Sequence, residues 1–399
     1  MSHPRRSFLA RSAGVLCGAA APGLLGRAGF AAPRADRPGA ESTVLVVIQL
    51  SGGNDGLNTV VPLGDPAYRA ARPTLAVNRR DALKIDAETG FHPNLTGFSG
   101  LLDDGALGVV RAVGYPNPDR SHFESMAVWH RGVAPGDEAA GLTKLGWLGR
   151  ATPTLGGAGS ALHVGGGEPP AALLAASGPA PSLRDAASYR LRGNAPPTTA
   201  AAAPGGLLGL VQGATAEAKA SSDRVRRAMS RDDGPARYPQ TGLAERLKLI
   251  ARLIDAELPE RIYYTEHGGF DTHAVQEGTH PRLLKELGDA AAAFQADLAA
   301  RGQAKRVVLM AFSEFGRRVK ENGSAGTDHG VAGPLFLIGD GVQPGLIGPA
   351  ASLTDLDEGD LKWKTDFRTV YAALLQNWLG VDAAGVLGQS FDPADVLAA

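Results

Sequence analysis

Carboxylates and histidines follow apolar, β-branched runs at five points of this 399-residue chain. They lie in the sequences SGGNDG, PDRSHF, HGGFDTH, FSEFGR and GTDHG. Ligands of open α/β sheets bind outside the carboxyl ends of the strands, so residues that follow different strands converge on one place. The pattern therefore predicts one site built from distant parts of the chain. Its Asp, Glu and His side chains predict a metal site with one or two ions.

Continuous apolar runs predict the strands of that sheet, because strands buried on both faces lack alternation. The runs are Thr43–Leu50, Leu107–Val113, Arg261–Thr265, Arg306–Phe312 and Pro334–Ile338, with Ala161–Val164 as a weaker candidate. Helical periodicity is present in Gly242–Glu257, Arg282–Ala300 and Phe367–Leu379, and the last ends at Gly380, a residue typical of helix termini. The alternation predicts an α/β fold with a mostly parallel central sheet and helices on both faces.

Residues 1–31 predict an export signal. Arg5 and Arg6 precede a weakly hydrophobic stretch from Ala13 to Leu25, which is typical of twin-arginine signals. A membrane anchor is the alternative, but the stretch is shorter than the ~20 residues that span a bilayer. We expect the chain to use the twin-arginine translocation machinery, to be cleaved, and to work in the periplasm or outside the cell without stable membrane insertion.

Beyond the signal, the sequence predicts a linker over 32–41 and one domain over 42–399. An Ala/Pro/Gly-rich stretch at about 150–240 is interpreted as an insertion or cap. The single cysteine, Cys17, lies in the signal, so the mature chain has no disulfide and no thiolate ligand. A formal net charge of -1 argues against a nucleic-acid partner, which requires a basic face.

Asp55 allows two interpretations. It follows Gly52 and Gly53 after the first predicted strand, where glycines permit a close backbone approach to a ligand. It would then bind metal, with Asn54 and Asn58 behind it. The alternative is that it forms a turn or caps a helix.

Ser121 is ambiguous for a related reason. Ser121 and Glu124 match the capping-box pattern of a helix N-terminus. A helix N-terminus also binds anionic phosphoryl or sulfuryl groups, so a metal could activate Ser121 as a nucleophile. His122 would then be a ligand or contact the substrate.

The densest group is HGGFDTH. Asp271 and His273 are two residues apart, so in an extended segment they point the same way and can share a metal. Glu314 follows a buried strand, and Arg317 either holds that carboxylate or clamps a substrate anion. Of the remaining histidines, His280 is expected at the surface or at a helix start, whereas His92, His130 and His163 are expected to be structural.

Together and in order, GGNDGLNTVVP, PDRSHF, HGGFDTH, FSEFGR and GTDHG resemble the bacterial family called domain of unknown function 1501, over about Thr43 to Leu379. That family resembles the alkaline phosphatase and arylsulfatase superfamily, whose members are metal-dependent hydrolases with ligands at the strand ends. The resemblance implies an alkaline phosphatase-like fold. It also implies Asp55 as the first-strand metal aspartate, Ser121 as the nucleophile, Asp271 with His273 as one ligand pair, and His329 as a late ligand. Glu314 falls where those relatives usually carry an Asp-His pair.

The sequence thus predicts an exported metal-dependent hydrolase of a small anionic phosphate- or sulfate-like ester. Ser121 or a metal-bound water is the predicted nucleophile, and His122 and Arg317 complete the catalytic residues. The predicted ligands of one or more divalent ions (Zn, Ca, Mg or Mn) are Asp55, Asp271, His273, Glu314, Asp328 and His329. The alternatives are a non-catalytic exported metal- or ligand-binding protein on a phosphatase-like fold and a metalloenzyme of different chemistry.

Overall fold

The strand Val44–Ser51 explains why the first apolar run has no alternation. Val46 and Ile48 pack into one core, and Leu45 and Val47 pack into a second core on the opposite face of the sheet. Both faces of the strand are therefore buried, and its one buried polar side chain, Gln49, has partners in Tyr264 and His130.

The structure is a computed structural model that describes residues 39, 42–137, 142–184 and 234–398. The predicted signal, most of the predicted linker, and residues 185–233 of the predicted insertion or cap lie outside the described residues. By their contacts, Asp36–Ala399 form one unit. Within the described ranges, no helix has both the length and the apolar character needed to cross a bilayer.

The main sheet has nine strands in this part of the chain, and we number them in chain order. They are β1 (Val44–Ser51), β2 (Leu107–Gly114), β3 (Ala161–Val164), β4 (Ser182–Leu183), β5 (Ile262–Gly268), β6 (Val307–Phe312), β7 (Gly333–Ile338), β8 (Gly345–Ile347) and β9 (Thr365–Asp366). Their spatial order is β8-β2-β7-β6-β1-β5-β3-β4, with β9 beside β2. All neighbours are parallel except β7, which is antiparallel to β6 and β2. The predicted mostly parallel sheet is confirmed, as are all six predicted strands.

Three small sheets lie outside this one in the described ranges. They consist of Val60–Pro62, Thr89–Phe91 and Leu83–Lys84; of Leu174–Ala175 and Gly178–Pro179; and of Leu356–Asp357 and Asp360–Leu361. Strands β3 and β4 both fall within 150–240, so the described part of the predicted insertion contributes to the main sheet.

Helices cover both faces of the main sheet, as predicted. They are α1 (Gly56–Thr59), α2 (Pro66–Ala71), α3 (Thr96–Asp103), α4 (His122–Arg131), α5 (Trp147–Ala151), α6 (Gly242–Asp255), α7 (Gln276–Ala300), α8 (Phe367–Ala372) and α9 (Ala383–Leu387), with a π-helical segment Ala373–Leu379 after α8. Short 3-10 turns are Leu142–Lys144, Ala158–Ser160, Ala171–Leu173 and Ala304–Arg306. Side chains of α3, α6 and α7 contribute to the first core, and those of α4, α5, α8 and α9 to the second.

Two helix predictions differ in detail from the structure. Helix α7 begins at Gln276 and includes Pro281, whereas the sequence predicted a start at Arg282. Pro281 is the sixth residue of this helix, beyond the first turn where proline costs nothing, so its missing N–H removes one i→i−4 hydrogen bond. The segment from Phe367 ends at Gly380, whose φ of 71° is left-handed, and this confirms the predicted stop.

Adjacent parallel strands bring three of the motifs to one edge of the sheet. In β1, Ser51 pairs with Gly268 of β5, and Gln49 pairs with Phe312 of β6. The segments that follow these strands therefore leave the sheet side by side. The GTDHG motif reaches the same edge differently, because it precedes β7 and β7 runs antiparallel to β6.

Candidate metal centre

One carboxylate oxygen, Asp271 Oδ1, lies at the centre of three histidines. It is 3.0 Å from His273 Nε2, 3.1 Å from His329 Nε2 and 3.5 Å from His122 Nε2. His273 Nε2 and His329 Nε2 are 2.9 Å apart. Ligand atoms of His122, Asp271 and His329 lie within 4.8 Å of one another. We call these four residues the His–Asp cluster.

Each ring of the cluster has an acceptor at its outer nitrogen, Nδ1. His122 Nδ1 is 2.8 Å from Glu314 Oε1, and His329 Nδ1 is 2.8 Å from the carbonyl oxygen of Arg120. His273 Nδ1 faces Asp328 Oδ1 at 3.5 Å. A proton on each Nδ1 satisfies these acceptors, and a ring that is protonated only there presents its Nε2 lone pair to the interior of the cluster. Metal-binding histidines are oriented by outer-shell acceptors in the same way.

The inward lone pairs make the cluster a good fit for a cation. His122 Nε2 is buried and has no hydrogen-bond partner. His273 Nε2 and His329 Nε2 are 2.9 Å apart, and when both rings are protonated only on Nδ1 their lone pairs face each other and repel unless a cation lies between them. Ligands about 2.0–2.1 Å from a tetrahedral zinc ion are separated by roughly 3.3 Å. The distances around Asp271 Oδ1 fall on both sides of that value, and 48% of the Asp271 side chain is exposed, so an ion can enter from solvent.

Arg317 holds Asp271 in place. Its Nη2 donates to Asp271 Oδ1 at 2.7 Å, and its other donors bind backbone carbonyls of Gly53 and Thr327 at 2.7 and 2.6 Å. Burial opposes ionisation of Asp271, but hydrogen bonds from Arg317 and His329 outweigh it and lower the pKa of Asp271 to about 2. The Arg317 side chain is fully buried. Arg317 therefore neither clamps a substrate anion nor holds Glu314, as the sequence had suggested; it positions a member of the cluster.

Close backbone packing explains two glycines of SGGNDG. A Cβ on Gly52, whose φ is 118°, would lie 2.4 Å from the Asp271 amide nitrogen. A Cβ on Gly53 would lie 2.3 Å from the Phe315 ring. These glycines let β1 approach the Asp271 segment, so they shape the site without contacting a ligand themselves.

Glu314 and Asp328 lie behind the histidines and not among the ligand atoms. Glu314 Oε1 accepts from His122 Nδ1 and from the Gly52 amide, both at 2.8 Å, and its Oε2 accepts from Ser313 Oγ at 2.9 Å. Asp328 Oδ1 accepts from Asn322 Nδ2 at 3.0 Å and faces the outer nitrogen of His273. The expectation that both bind metal directly is corrected, because their oxygens orient ligands instead.

Electrostatics support this role of Glu314. Burial alone would raise the pKa of Glu314, but hydrogen bonds from His122, Gly52 and Ser313 hold it below its ordinary value. The same hydrogen bond to Glu314 raises the pKa of His122. Glu314 therefore stays ionised and keeps the His122 proton on the outer nitrogen.

Asp55 belongs to a separate, fully buried group. Its Oδ2 is 2.6 Å from Arg72 Nη1 and also accepts from Gln276 Nε2, while its Oδ1 accepts from the Asn58 amide at 3.4 Å. Burial would raise its pKa, but Arg72 and Gln276 hold the pKa of Asp55 below its ordinary value. Both of its oxygens are satisfied by the chain, so the structure favours the N-cap interpretation, at the start of α1, over the metal-ligand one.

His280 extends this group, contrary to the expectation of a surface position. It is 1% exposed, and its Nε2 lies 3.0 Å from Asn54 Oδ1. We call Asn54, Asp55, Asn58, Arg72, Gln276 and His280 the buried network. His267, the first histidine of the densest motif, is also buried, with Nε2 3.2 Å from the Leu283 carbonyl oxygen, and it lies outside the cluster. His92, His130 and His163 are buried as well.

Ser121 is the N-cap residue of α4, but its side chain makes no capping hydrogen bond. The predicted capping box is therefore not formed, although the helix begins where the sequence predicted. Ser121 is exposed and lies between Arg120, whose carbonyl holds His329, and His122 of the cluster. Its hydroxyl is free to contact a ligand.

Sequence reasoning missed Arg72, Arg120 and Gln276. Arg120 contributes a backbone oxygen, which no sequence pattern shows. Arg72 follows an ordinary amphipathic stretch, and Gln276 opens a helix. Arg72 had no signal in the sequence, because its partner Asp55 lies 17 positions away and no local motif joins the two.

Comparison with known proteins confirms the resemblance that the motifs predicted. Residues 202–375 match the family described as "Protein of unknown function (DUF1501)". That span contains HGGFDTH, FSEFGR and GTDHG, whereas SGGNDG and PDRSHF precede it. None of the curated proteins matches this sequence.

Solved structures of similar proteins have low sequence identity. The lipoteichoic acid synthase LtaP from Listeria monocytogenes matches 90% of this chain and 77% of its own, at 10% identity and a TM-score of 0.39. A zinc complex of the C-terminal periplasmic domain of EcEptC from Escherichia coli matches 75% of this chain and 73% of its own, at 8% identity and a TM-score of 0.41. A protein of the alkaline phosphatase superfamily from Vibrio parahaemolyticus matches 76% of this chain and 62% of its own, at 9% identity and a TM-score of 0.33. At these values the likeness supports no statement about metal or substrate.

Proposed function

We propose that this protein is an exported, metal-dependent hydrolase of a phosphate- or sulfate-like ester. The observation that carries the proposal is the geometry of the His–Asp cluster. Three imidazole Nε2 atoms and one carboxylate oxygen face one another, and each ring is fixed from behind. A purely structural cluster would need no inward lone pair, and in the buried network the Asp55 carboxylate takes its partners, Arg72 and Gln276, from the chain itself.

The cluster would hold one divalent ion through His122, Asp271, His273 and His329. A bound ion of this kind neutralises an anionic substrate and lowers the pKa of a nearby water or hydroxyl group. Zn²⁺ suits imidazole and carboxylate ligands, and Mn²⁺ shares part of this preference. Glu314 and Asp328 would accept hydrogen bonds from the Nδ1–H groups of His122 and His273, which makes these rings more basic and hence stronger metal ligands.

Ser121 is the proposed nucleophile, and water is the alternative. The hydroxyl is exposed, makes no capping bond and stands at the N-terminus of a ten-residue helix. Backbone N–H groups at such a terminus favour an anionic group of the substrate. An attack by Ser121 would transfer the phosphoryl or sulfuryl group to its oxygen, the ester alcohol would leave with the hydroxyl proton, and water would then release the group.

Metal analysis of the purified mature protein is the first test. We expect bound divalent metal in the wild type and its loss in His273→Ala and His329→Ala, because each removes one of few ligands. His267→Ala is the matched control, since His267 lies in the same motif but outside the cluster, and it should retain metal per folded molecule. Unchanged metal in both cluster variants would overturn the proposed centre.

Turnover of phosphate and sulfate esters is the second test. If Ser121 attacks, Ser121→Ala should lower turnover by several powers of ten. Turnover at the wild-type rate would show that water attacks. Stoichiometric metal without turnover of any ester would favour the non-catalytic binding protein or a metalloenzyme of different chemistry.

Export rests on the sequence of residues 1–31, which lie outside the described residues. Replacing Arg5 and Arg6 together by Lys should retain an uncleaved precursor in the cell, because the twin-arginine route reads the arginine pair. Normal appearance of the mature protein outside the cytoplasm would contradict this part of the proposal.

A further inference from the structure

Two large apolar side chains are exposed, and both adjoin the His–Asp cluster. Phe123 is 88% exposed and Val275 is 70% exposed, and no other large apolar side chain in the described residues is exposed to this degree. Isolated exposed apolar residues are common on protein surfaces and need no explanation. Here, however, both occur beside the same polar site, which calls for a common reason.

The two residues adjoin different members of the cluster. Phe123 follows His122 in the first turn of α4, and Val275 follows His273 by two residues and immediately precedes α7. His122 Nε2 and His273 Nε2 approach the same oxygen, Asp271 Oδ1, at 3.5 and 3.0 Å. The two chain segments that carry the exposed side chains therefore meet at the cluster, and each presents apolar surface to solvent within two residues of a cluster histidine.

The backbone of Val275 gives a second, independent indication. Its φ of 46° and ψ of 45° lie in the left-handed region, which a β-branched residue rarely adopts. The Val275 amide donates to the Ser324 carbonyl oxygen at 3.0 Å, and this bond helps to hold the conformation. Asparagine or glycine would fit this backbone with less strain. Such strain is concentrated at functional sites, and here it keeps an apolar side chain in solvent.

We propose that Phe123 and Val275 form an apolar rim that receives the organic group of the substrate. The substrates would then be phosphate- or sulfate-like esters of apolar alcohols, with the anionic end at the cluster and the alkyl or aryl end on the rim. Burial of that end against the rim removes apolar surface from water, which favours binding. The inference rests on the proposed function, because it assigns the substrate class of that site.

Binding of non-hydrolysable anions tests the rim separately from catalysis. The probes are methyl-, butyl- and octylphosphonate, with the matching sulfonates, titrated calorimetrically into the full mature chain loaded with zinc. We expect octyl compounds to bind at least roughly 10-fold more tightly than methyl compounds, since each buried methylene favours binding. Phe123→Ser and Val275→Asn should each reduce the octyl advantage about 5-fold and leave methyl binding unchanged.

Val275→Asn also shows whether a loss of octyl affinity comes from the rim or from misfolding. Asparagine tolerates the left-handed conformation better than valine, so this variant should melt at a higher temperature while it loses octyl affinity. Glu257→Asn is the matched control. Glu257 is exposed and has a φ of 53°, but it precedes β5 and so lies at the opposite edge of the sheet. It should raise the melting temperature without changing octyl affinity.

The outcomes distinguish the rim from the proposed function. If methyl compounds bind but octyl compounds bind no more tightly, the rim is refuted and the hydrolase proposal stands. If no phosphonate or sulfonate binds and no ester is hydrolysed, both are refuted. If the wild type sediments with phosphatidylcholine vesicles without any probe, and Phe123→Ser does not, the two residues contact a lipid surface and the substrate assignment is overturned.

Discussion

The His–Asp cluster and the buried network contain similar residues, but the charge of the central carboxylate is compensated in different surroundings. In the network, Asp55 and Arg72 are fully buried and 2.6 Å apart, and amide groups satisfy the remaining atoms. In the cluster, Asp271 is half exposed, and the inward nitrogens of His273 and His329 lie 2.9 Å apart beside it. Both carboxylates have an arginine beside them, so the difference lies in access: Asp55 is fully buried with both oxygens satisfied by the chain, whereas Asp271 is open to solvent and faces three imidazole rings.

The largest expected effect separates the two regions by stability. Arg72→Met leaves the Asp55 carboxylate buried without its cation, so we expect the free energy of unfolding to fall by about 3–5 kcal/mol. Urea unfolding measures this. Arg80→Met is the control, because Arg80 is 85% exposed in its pair with Asp81, and it should change stability by less than about 0.5 kcal/mol. A loss of under about 1 kcal/mol for Arg72→Met would show that the network is not a stability element.

The second effect concerns pH. Burial lowers the pKa of His280 to about 4, from an ordinary value of 6.5. As pH falls through this window the unfolded chain binds a proton that the folded chain does not, so stability decreases by up to about 3 kcal/mol. His280→Gln keeps a donor toward Asn54 and removes the titration, so its stability should fall less between pH 7 and pH 4.5. Parallel urea titrations at the two pH values would detect this, and equal slopes in both proteins would contradict it.

His122, on the cluster side of the comparison, should act in the opposite direction. The hydrogen bond to Glu314 raises its pKa, so its contribution to stability is complete below its unfolded pKa and is lost as pH rises through its folded pKa. The two histidines therefore act in opposite directions: protonation outside the folded state costs stability at His280 as pH falls below 6.5, and the contribution of His122 is lost as pH rises above its ordinary pKa.

The third effect compares the two outer acceptors of the cluster. Glu314 is buried and 2.8 Å from His122, whereas Asp328 is 57% exposed and 3.5 Å from His273. We expect Glu314→Gln to weaken metal affinity by roughly 10–100-fold, as outer-shell changes do. Asp328→Asn should weaken it less than about 10-fold, because water screens that contact. Competition with a chelator of known affinity measures both, and equal losses would remove the distinction.

The smallest effect concerns Ser121 and helix capping. Because its side chain makes no capping bond, Ser121→Ala should cost less than about 0.5 kcal/mol of stability, below the ~1 kcal/mol of a working cap. Asp382→Ala is the matched control, since Asp382 accepts from Ala384 and Gly385 amides at 3.1 and 3.2 Å, and it should show the full cost. If Ser121→Ala and Asp382→Ala lose the same stability in thermal unfolding, Ser121 caps the helix after all.

The distribution of apolar residues along the chain was enough to predict the fold class. Apolar runs predicted every one of the six proposed strands, because burial on both faces favours apolar side chains and admits a polar one such as Gln49 only where the fold supplies partners. Gly380 marked the end of its helix for a local reason, the left-handed backbone. Proline was less informative, because the start of α7 was predicted at Arg282, just after Pro281, whereas the helix begins at Gln276.

The sequence by itself also determined that Asp271, His273 and His329 stand at strand ends near glycines, and hence that they are candidates for one site. Only the tertiary structure decided which acids face the histidines and which are neutralised by the chain. Asp55 and Asp271 both follow glycines after parallel neighbouring strands, and nothing local distinguishes them. The difference lies in Arg72 and Arg317, which approach from distant segments, because the charge state and accessibility of a carboxylate depend on what packing brings within about 3 Å of it.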